Sequence, residues 1–319
     1  MKKFTFLLMV ILAIGLSSCK DDEDEILTVT GVSLNQSTLS LAVGGESTLT
    51  ATVSPANATN ATVTWTTSDA TKATVANGKV TAVALGTATI IATAGGKTAT
   101  CAVTISMPTV TDIDGNVYHT ITIGTQTWMV ENLKVSKYND GTAIPNVSDA
   151  TAWAALTTGA YCDYNNDVAN GTKYGHLYNW FTVNTGKLAP AGWHVATDAE
   201  WTTLQSYLIA NGYNYDATTT DNKIAKALAA KTDWTTSTTT GVIGNDLTLN
   251  NSTGFSALPG GARDNAGSFL GLGSDGIWWS ATGYSTDYAW DRGLYYGSAG
   301  LGSYNDVKHA GFSVRCVRD

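Results

Sequence analysis

The tyrosine and tryptophan residues divide the chain into two parts, and this division limits what each part can fold into. Residues 26–106 contain one tryptophan, Trp65, and no tyrosine. All 14 tyrosines and every other tryptophan come after residue 111. Between the two parts, Pro108 in the segment SMPTVT interrupts a strand pattern. The sequence therefore predicts two domains, residues 26–106 and 112–319, joined by a linker over residues 107–111.

The first part has the two-residue period of half-buried β-strands. Val32 and Leu34 alternate with polar residues, and so do Leu39, Leu41 and Val43. Further strand-like segments, TVTWTT, KVTAVA, TATIIATA and ATCAVTI, are separated by the turn sequences NGK, LGT and GGK. Several short strands at this spacing indicate an all-β sandwich.

This part resembles the bacterial immunoglobulin-like domains of group 2. The segments that carry the resemblance are VTGVSLNQSTLSLAVGGESTLTATVSPANAT, VTWTTSD, ATVANGKVTAVALGTATIIATAG and CAVTI. Domains of that family commonly serve as stalk modules of surface adhesins. The resemblance therefore implies a spacer, and its reach is short because only one copy is present.

The second part mixes strand and helix signals. The segment YHTITIGTQTWMVENL, residues 118–133, predicts a hairpin interrupted at Gly124. Thr197 to Glu200 form a capping-box pattern, and Trp201, Leu204 and Leu208 follow at helical spacing until Asn211-Gly212 ends the helix. Asp221 is predicted to cap a second helix, in which Ile224 and Leu228 lie one turn apart.

This part resembles the Fibrobacter major paralogous (FISUMP) domain over residues 112–319. The segments that carry the resemblance are IGTQTWMVENLK, YCDYNND, YGHLYNW, PAGWHVATDAEW, GFSALPGGARD, WWSAT and GFSVRCVRD. The resemblance implies a C-type-lectin-like fold and brings no established activity. The expected fold class is thus multidomain, an all-β immunoglobulin-like sandwich followed by an α+β C-type-lectin-like domain.

The N-terminal residues predict export and a lipid anchor. Lys2 and Lys3 precede a thirteen-residue apolar stretch that ends at Leu16, too short to span a membrane but typical of a signal peptide, here residues 1–18. Leu16-Ser17-Ser18-Cys19 resembles the lipobox of bacterial lipoproteins, which implies an acylated Cys19. The protein is therefore expected to be held on a membrane by its lipid anchor.

Five acids, Asp21 to Glu25, follow the cysteine and Lys20. Their mutual repulsion keeps residues 19–25 hydrated and extended as an acidic tether. The run resembles the export signal of surface lipoproteins of Bacteroidota, which implies an outer-membrane lipoprotein exposed on the cell surface. The alternative is a solvated linker without an address function.

The charge of the mature chain argues against nucleic-acid partners. The full chain has 18 basic and 26 acidic residues, and removal of Lys2 and Lys3 leaves 16 against 26, a net charge of −10. Phosphate backbones repel such a chain, which contains no basic stripe. No cofactor is expected.

Three cysteines remain besides Cys19. Cys101 shares a strand face with Val103 and Ile105 and is predicted to be a buried core residue. Because export permits oxidation, we predict a disulfide between Cys162 and Cys316; two free buried thiols fit the sequence equally well.

Metal and nucleotide motifs are incomplete. Asp163, Asn165 and Asp167 match the start of a calcium loop, but Val168 replaces its glycine and Tyr174 its final glutamate, so a polar turn is favoured over a calcium site. The histidines show no metal-ligand spacing, and no metal site is predicted. The glycine motif at 271–276 precedes IWWSAT, a strand-like segment, and is interpreted as a loop rather than a nucleotide site.

Late aromatic residues suggest a sugar-binding site. Sugar rings have apolar faces that stack on aromatic side chains while polar groups fix their orientation. The candidates for a calcium-independent site are Trp290, Tyr295 and Tyr296, with Arg263, Asp264 and Asp291 as polar partners. The alternative is that these rings only pack in the core.

The sequence as a whole predicts a cell-surface lipoprotein in which a spacer presents a ligand-binding or adhesion domain, with glycans as candidate ligands. One alternative is an enzyme like the formylglycine-generating enzymes, which share the broad fold class. Their chemistry needs two nearby cysteines, and Cys316 stands alone near the C-terminus, so no enzymatic activity is predicted. A purely structural envelope protein is the other alternative.

Overall fold

The computed structural model describes residues 26–319. The predicted signal peptide, the lipidated Cys19 and the acidic tether lie outside the described residues. The chain divides into two compact units between Ser106 and Met107. None of the helices within residues 26–319 has the length and hydrophobicity needed to span a membrane.

The first unit is built entirely from strands. A four-stranded sheet has the order β2-β9-β8-β5, a three-stranded sheet has the order β3-β7-β6, and β1 pairs with β4. The strands are β1 (Gly31–Leu34), β2 (Thr38–Ala42), β3 (Glu46–Thr48), β4 (Ala51–Ser54), β5 (Thr64–Thr67), β6 (Ala73–Ala76), β7 (Lys79–Ala82), β8 (Gly86–Ala94) and β9 (Lys97–Ser106).

One hydrophobic core joins the two larger sheets of this unit. Val80 on β7 and Ile90 on β8 are fully buried in the same cluster as the inner face of β9. Cys101, Val103 and Ile105 form that inner face, which confirms that Cys101 is a core residue. Because side chains from both sheets fill one core, the unit is the all-β sandwich that its alternating sequence predicts.

The second unit contains twelve strands and five short or medium helices. The strands are β10 (Thr109–Thr111), β11 (Val117–Ile123), β12 (Gln126–Met129), β13 (Tyr161–Cys162), β14 (Leu177–Tyr178), β15 (Trp193–Val195), β16 (Gly260–Arg263), β17 (Phe269–Leu272), β18 (Asp275–Gly283), β19 (Tyr288–Tyr295), β20 (Gly302–Val307) and β21 (Cys316–Arg318). The helices are α1 (Ala150–Ala154), α2 (Val168–Tyr174), α3 (Trp180–Val183), α4 (Asp198–Ala210) and α5 (Ala225–Leu228), and 3₁₀ turns cover Tyr164–Asn166 and Leu247–Leu249.

Two five-stranded sheets organise the second unit. Their orders are β10-β11-β12-β21-β15 and β17-β16-β18-β19-β20, and β13 pairs with β14. Strand β10 pairs with β11 of the same unit, so Thr109–Thr111 are not the linker that the sequence predicts. The predicted hairpin is present as β11 and β12, with Gly124 at a positive φ of 62° in its turn.

Strand β18 separates two cores of the second unit. Trp278 and Trp279 are both fully buried, one in each cluster, because neighbouring side chains of a strand point to opposite faces. Helix α4 covers the Trp278 side with Trp201 and Leu204. Because β19 pairs with β18, its side chains also alternate between these two faces of the sheet.

Helix α4 begins with the predicted capping box. The Thr197 hydroxyl accepts a hydrogen bond from the Glu200 backbone N–H at 3.3 Å, and the Glu200 carboxylate accepts one from the Thr197 N–H at 2.8 Å. Trp201, Leu204 and Leu208 are fully buried, as their spacing predicts. The capping sequence and the apolar spacing therefore both predict this helix correctly.

The second predicted helix differs from its prediction. Asp221 has a positive φ of 60° and lies before the helix, which begins after Ile224 without a side-chain cap. Ile224 and Leu228 are fully buried, so the apolar spacing is correct although the cap is wrong. A left-handed backbone at Asp221 places it in a turn, where it cannot cap the helix.

The predicted disulfide between Cys162 and Cys316 is absent. Both residues are buried free thiols. Cys162 lies on β13 beside Leu177, whereas Cys316 lies on β21 beside Val195, in a different sheet and a different hydrophobic cluster. Burial raises the pKa of the Cys162 thiol to about 12, which makes it unreactive.

Candidate functional site

Arg263 has a structural role instead of the predicted ligand contact. Its guanidinium is fully buried and donates hydrogen bonds to the carbonyl oxygens of Gly267 at 3.0 Å, Val147 at 2.6 Å and Ser148 at 2.8 Å. It also stacks on the Trp153 ring, 4.6 Å from its centroid. Each guanidinium nitrogen donates to a main-chain carbonyl, so Arg263 has a structural role, and it also lines the cavity described below.

The predicted aromatic residues do not share one surface. On β19, the side chains of Arg292 and Leu294 face α4. Trp290 projects from the same side of the strand, where its ring packs edge-on against that of Tyr284 with centroids 5.0 Å apart. Asp291 and Tyr295 alternate with these residues and project from the opposite face. Trp290 is therefore excluded from a site that contains Asp291.

Tyr296 follows the end of β19 and is 38% exposed, in a turn whose backbone pairs with the neighbouring loop. Its N–H donates to the Ser274 carbonyl and its own carbonyl accepts from Gly244. The side chain thus belongs to a turn beyond the strand face that carries Asp291.

A cavity of about 220 Å³ is lined by two of the predicted residues, Arg263 and Asp264. Asp291 and Tyr295 do not line it, but they share a sheet face with its lining residues Asp275 and Asp306. We call it the acidic cavity because most of its polar side chains are carboxylates. Asp264 also accepts hydrogen bonds from the N–H groups of Ala266 and Ser268 and so shapes the turn at the rim. The lining residues are Ala262, Arg263, Asp264, Asn265, Leu270, Asp275, Ile277, Asp306, Ala310 and Phe312.

Asp291 is the most buried carboxylate next to the acidic cavity. Its strand partners are Trp279 on β18 and Tyr304 on β20, and the residue is 1% exposed. One carboxylate oxygen, Oδ2, is buried without a hydrogen-bond partner. Burial, and then the nearby charge of Asp306, raise the pKa of Asp291 to about 7, although Arg292 acts in the opposite direction.

Asp275 and Asp306 are further carboxylates of this cavity. Asp275 lies directly opposite Tyr295 across the β18–β19 pair, and Asp306 lies opposite Ala289 across the β19–β20 pair. Burial raises the pKa of both acids, since neither has a cationic partner to offset it. Asp275 and Asp306 therefore line one small volume, and Asp291 lies on the same face of the sheet.

Two tyrosine rings cover the glycines of this face. The centroids of Tyr295 and Tyr304 are 6.1 Å apart in an edge-on arrangement. A Cβ on Gly293 would lie 2.7 Å from the Tyr295 hydroxyl, and a Cβ on Gly302 would collide with the Tyr304 ring. Each ring lies over the glycine two residues before it, so the repeated Gly-x-Tyr spacing is the sequence signal that could have identified Tyr304.

A larger groove of about 550 Å³ lies elsewhere on the second unit. It carries few charges, because the Lys226 ammonium is buried and bonded to main-chain carbonyls, including that of Asp246 at 3.1 Å. Tyr215 is 45% exposed there and lies against Gly241. No sequence pattern groups these residues, because they come from separate segments of the chain. The groove lining includes Asn211, Tyr213, Tyr215, Lys226, Asn245 and Leu249.

The incomplete calcium motif forms a structural turn. Asp163 is hydrogen-bonded to the His176 ring at 2.7 Å, and Asp167 caps α2 by accepting from the Ala169 N–H at 2.9 Å. Over residues 26–319, no three His, Cys, Asp or Glu side chains are placed to hold a metal ion. The glycine motif at 271–276 spans the end of β17, a two-residue turn at Gly273 and Ser274, and the start of β18, so it is a strand–turn–strand segment and not the predicted loop, and a strand follows it instead of a helix.

His194 forms hydrogen bonds that connect three segments of the second unit. Its Nδ1 lies 2.6 Å from Asp319 Oδ1 and its Nε2 lies 2.7 Å from Glu200 Oε1. Burial alone would lower the pKa of His194, but the two carboxylates raise it above its ordinary value. The histidine thereby links β15 to the first turn of α4.

A family model described as the Fibrobacter succinogenes major domain matches residues 121–318, which is more than half of the chain. The chain belongs to this family. A second model, the bacterial Ig-like domain of group 2, matches residues 28–104. Both recognitions made from the sequence are confirmed, and the acidic cavity lies within the Fibrobacter succinogenes major domain.

Similar proteins cover only parts of the chain. An Ig-like virion protein of Serratia phage KSP90 is 48% identical over 85 residues, which is 25% of this chain and 33% of that protein. An uncharacterized protein of Clostridium acetobutylicum is 42% identical over 72 residues, 22% of this chain and 7% of that protein. The chain therefore spans a third or less of the length of these relatives.

Solved structures of the S-layer protein SbsC also align with the chain. The structure of SbsC domains 4 and 5 aligns with 24% of this chain and 46% of its own chain, at 23% sequence identity and a TM-score of 0.22. Domains 5–6 match 88% of this chain and 97% of theirs at 12% identity, with a TM-score of 0.23. Similarity at these TM-scores carries no argument about fold or function.

Proposed function

We propose that the protein is a lipoprotein of the outer cell surface whose second unit binds carbohydrate without calcium. The immunoglobulin-like unit serves as a short spacer between the lipid on Cys19 and the binding unit. The second unit is assigned a C-type-lectin-like fold. Its mixture of two five-stranded sheets with the 13-residue helix α4 is consistent with that assignment.

The acidic cavity is the observation that carries the binding proposal. Carboxylate oxygens accept hydrogen bonds from sugar hydroxyls, and tyrosine rings stack on the apolar faces of sugar rings. Asp275, Asp306, Tyr295 and Tyr304 provide both kinds of group on one face of the sheet. Of the six residues predicted from the sequence, Asp264, Asp291 and Tyr295 remain in the proposed site.

The volume of the cavity limits the size of the bound group. Pockets for drug-sized ligands have volumes of roughly 300–1,000 Å³. The acidic cavity, at about 220 Å³, is smaller and suits a single monosaccharide unit of a longer glycan. The remainder of the glycan would extend over the exposed surface of the same sheet face, where Tyr304 lies.

Binding fits the second unit better than catalysis by a pair of cysteines. Cys162 and Cys316 are the two cysteines of the unit, and each is fully buried in its own cluster. Chemistry of the formylglycine-generating type requires two nearby cysteines. This geometry favours a binding role, which we adopt as part of the proposal.

A glycan array tests the binding proposal. The full mature protein, in the presence of a chelator, is expected to retain a defined set of glycans. Tyr295→Ala should abolish that binding, whereas Tyr215→Ala in the larger groove is the matched control and should preserve it. Binding that is lost in Tyr215→Ala and retained in Tyr295→Ala would place the site in the groove, and a silent array would reject carbohydrate binding.

Two measurements test the anchor and the orientation. Mass spectrometry of the mature N-terminal peptide should show an acylated Cys19, and an unmodified terminus would contradict the anchor. Replacement of Asp21 to Glu25 by alanine should leave the protein lipidated but protected from protease on intact cells. Unchanged surface digestion would reduce the acidic run to a tether.

A further inference from the structure

We propose that a second groove of the Fibrobacter succinogenes major domain, separate from the acidic cavity, binds the phosphate group of a small phosphate monoester. This groove has a volume of about 430 Å³, and its charged lining residues are Glu131, Lys134, Lys173 and Lys231. We call it the basic groove because three of these four residues are lysines. The inference goes beyond the proposed carbohydrate-binding function and does not depend on it.

Lys134 and Lys231 differ from the other lysines of the second unit because their ammonium groups have no partner. Residues 107–319 contain eight lysines and 19 acidic residues. Six of the lysines form ion pairs with aspartates or donate to main-chain carbonyls, and these are Lys137, Lys173, Lys187, Lys223, Lys226 and Lys308. Within the same range, the ammonium groups of Lys134 and Lys231 form neither kind of contact. In a unit with so many acids, the two unpaired lysines therefore lie in one groove.

The acidic residues of this region already have partners. Glu131 lines the groove, but its Oε1 lies 2.7 Å from His119 Nδ1 and its Oε2 accepts a hydrogen bond from the His119 N–H at 2.8 Å. Asp233 forms an ion pair with Lys173 and accepts a hydrogen bond from the Thr232 hydroxyl at 2.9 Å. The charges of Lys134 and Lys231 are thus left over as an excess of positive charge in the groove.

A buried arginine adds positive charge behind the wall of the groove. Arg315 is 1% exposed, and its guanidinium donates to the lining residues Asn132, at the side-chain oxygen 2.6 Å away, and Ser256, at the carbonyl 3.3 Å away. Its other acceptors are the carbonyls of Met129 and Phe255, so all of its hydrogen-bond partners are uncharged. Burial lowers the pKa of Arg315 to about 9, and the guanidinium stays charged at neutral pH. Because a buried charge is screened little by water and salt, it reinforces the attraction of the groove for an anion.

Three lysines from different segments favour a compact dianion over a planar carboxylate. An ammonium group is a point charge with three donors and lacks the planar fork with which arginine binds carboxylates. A phosphate monoester has a charge of about −1.5 to −2 at neutral pH and three strong acceptor oxygens. Lys134 follows β12, Lys173 lies in α2 and Lys231 follows α5, so the fold assembles the basic groove without a basic stripe in the sequence.

The groove also has room for the organic part of such a ligand. Its volume of about 430 Å³ lies within the range of roughly 300–1,000 Å³ that is typical of small-molecule pockets. Val130 and Leu258 supply apolar lining, and the Thr172 hydroxyl, which donates to the Val168 carbonyl at 2.9 Å, can accept a hydrogen bond from a ligand hydroxyl. The ester is therefore a sugar phosphate or the glycerol phosphate part of a lipid headgroup.

NMR titrations of the full mature protein test the proposal. Inorganic phosphate, glucose 6-phosphate and glycerol 3-phosphate are followed by their phosphorus signals, and glucuronate, a sugar with a single carboxylate charge, is followed by its proton signals. We expect glucose 6-phosphate to bind about tenfold or more tightly than glucuronate, the effect of a charged hydrogen bond.

Lysine variants locate the binding. Lys134→Gln and Lys231→Gln remove charges that have no partner in the described residues, so each should leave the free energy of unfolding unchanged. Each should weaken the binding of glucose 6-phosphate about fivefold or more, and the double variant should abolish it. Lys97→Gln and Asp287→Asn are the controls, because they change the net charge in opposite directions at exposed positions outside the groove. Both should leave the dissociation constant unchanged.

The possible outcomes are distinct. Unchanged binding of glucose 6-phosphate in the double variant would overturn the proposal, and so would an equal loss of binding in Lys97→Gln. Glucuronate that binds as tightly as glucose 6-phosphate would overturn the assignment of a phosphate site. Equal binding of the three phosphate compounds would support a site for the phosphate group alone, whereas a preference for glucose 6-phosphate or for glycerol 3-phosphate would support a sugar or a lipid headgroup as its source.

The two proposed sites can fail independently. Tyr295→Ala should preserve the binding of glucose 6-phosphate, and loss of that binding in Tyr295→Ala but not in the double lysine variant would overturn the basic groove as its site. A silent glycan array together with lysine-dependent binding of glucose 6-phosphate would reject carbohydrate binding in the acidic cavity and support the basic groove.

Discussion

The sharpest test of the acidic cavity is the dependence of folding stability on pH in the variant Asp291→Asn. The substitution retains the shape of the side chain and removes its ability to become charged. In the folded protein, burial and the charge of Asp306 raise the pKa of Asp291 from its ordinary value of 3.8 to about 7. The folded state therefore binds this proton more tightly than the unfolded chain does.

The sign and size of the effect follow from this difference. The contribution of Asp291 to stability is complete below pH 4, is lost as the pH rises towards 7, and changes little above that. Each tenfold difference in proton affinity corresponds to about 1.4 kcal/mol. The pKa values of 3.8 and about 7 thus give a loss of about 4 kcal/mol between pH 4 and pH 8, which Asp291→Asn should not show.

Urea unfolding between pH 4 and pH 8 measures this loss. Tryptophan fluorescence reports the second unit, because Trp65 is the only tryptophan of the first. The free energy of unfolding of the variant minus that of the wild type should rise with pH, and Asp287→Asn should give a flat difference. A flat difference for Asp291→Asn as well, or a variant less stable than the wild type at pH 8, would refute the account of a buried, unpaired carboxylate.

Three further predictions concern the rest of the second unit. Arg263→Met should lower the free energy of unfolding by about 3 kcal/mol or more, because it leaves buried carbonyls without donors; a smaller loss in chemical denaturation would contradict that role. Cys162 and Cys316 should resist alkylation in the native protein and react after denaturation without reductant, and a mass increase of two hydrogens on reduction would instead reveal a disulfide. The carboxylates that raise the pKa of His194 stabilise its charged form, so the wild-type protein should lose stability as the pH rises above about 6.5 and the histidine loses its proton. His194→Gln should reduce this loss, and identical pH profiles of the two proteins in thermal unfolding would disprove the prediction.

Features set by neighbouring residues could be predicted from the sequence. The capping box of α4 depends on Thr197 and Glu200, three residues apart, and the buried faces of α4 and β9 depend on simple periodicities. The hairpin turn at Gly124 needs a residue that tolerates positive φ. In each case the physical cause lies within a few residues along the chain, where a pattern can show it.

The candidate site could be predicted only in part, because strand register assembles it. Asp291 and Tyr295 were identified from their place in an aromatic segment, but Asp275 and Tyr304 join them only through pairing across β18, β19 and β20. Trp290 and Asp291 are both candidates from the sequence, but they are neighbours in β19, and neighbouring residues of a strand point to opposite faces.

Arg263 shows a different limit of sequence-based prediction. A charged side chain beside Asp264 suggests an exposed polar pair, and a carboxylate partner would be the usual reason to bury an arginine. The structure instead satisfies the guanidinium with main-chain carbonyls from two distant segments. Which carbonyls are free to accept depends on the whole fold and leaves no local signature.

The position of β21 sets the order in which the second unit can assemble during synthesis. This strand lies inside its sheet, between β12 and β15, although it is the last of the three in sequence. Trp128 on β12 and His194 on β15 both pair with Val317, so neither strand has its inner neighbour until residues 316–318 have been made. The inner edges of β12 and β15 stay open until then, and open edges invite pairing with other chains. A nascent second unit is therefore exposed to aggregation for longer than a unit whose strands pair in chain order, and slowed synthesis should increase its aggregation before it affects the first unit.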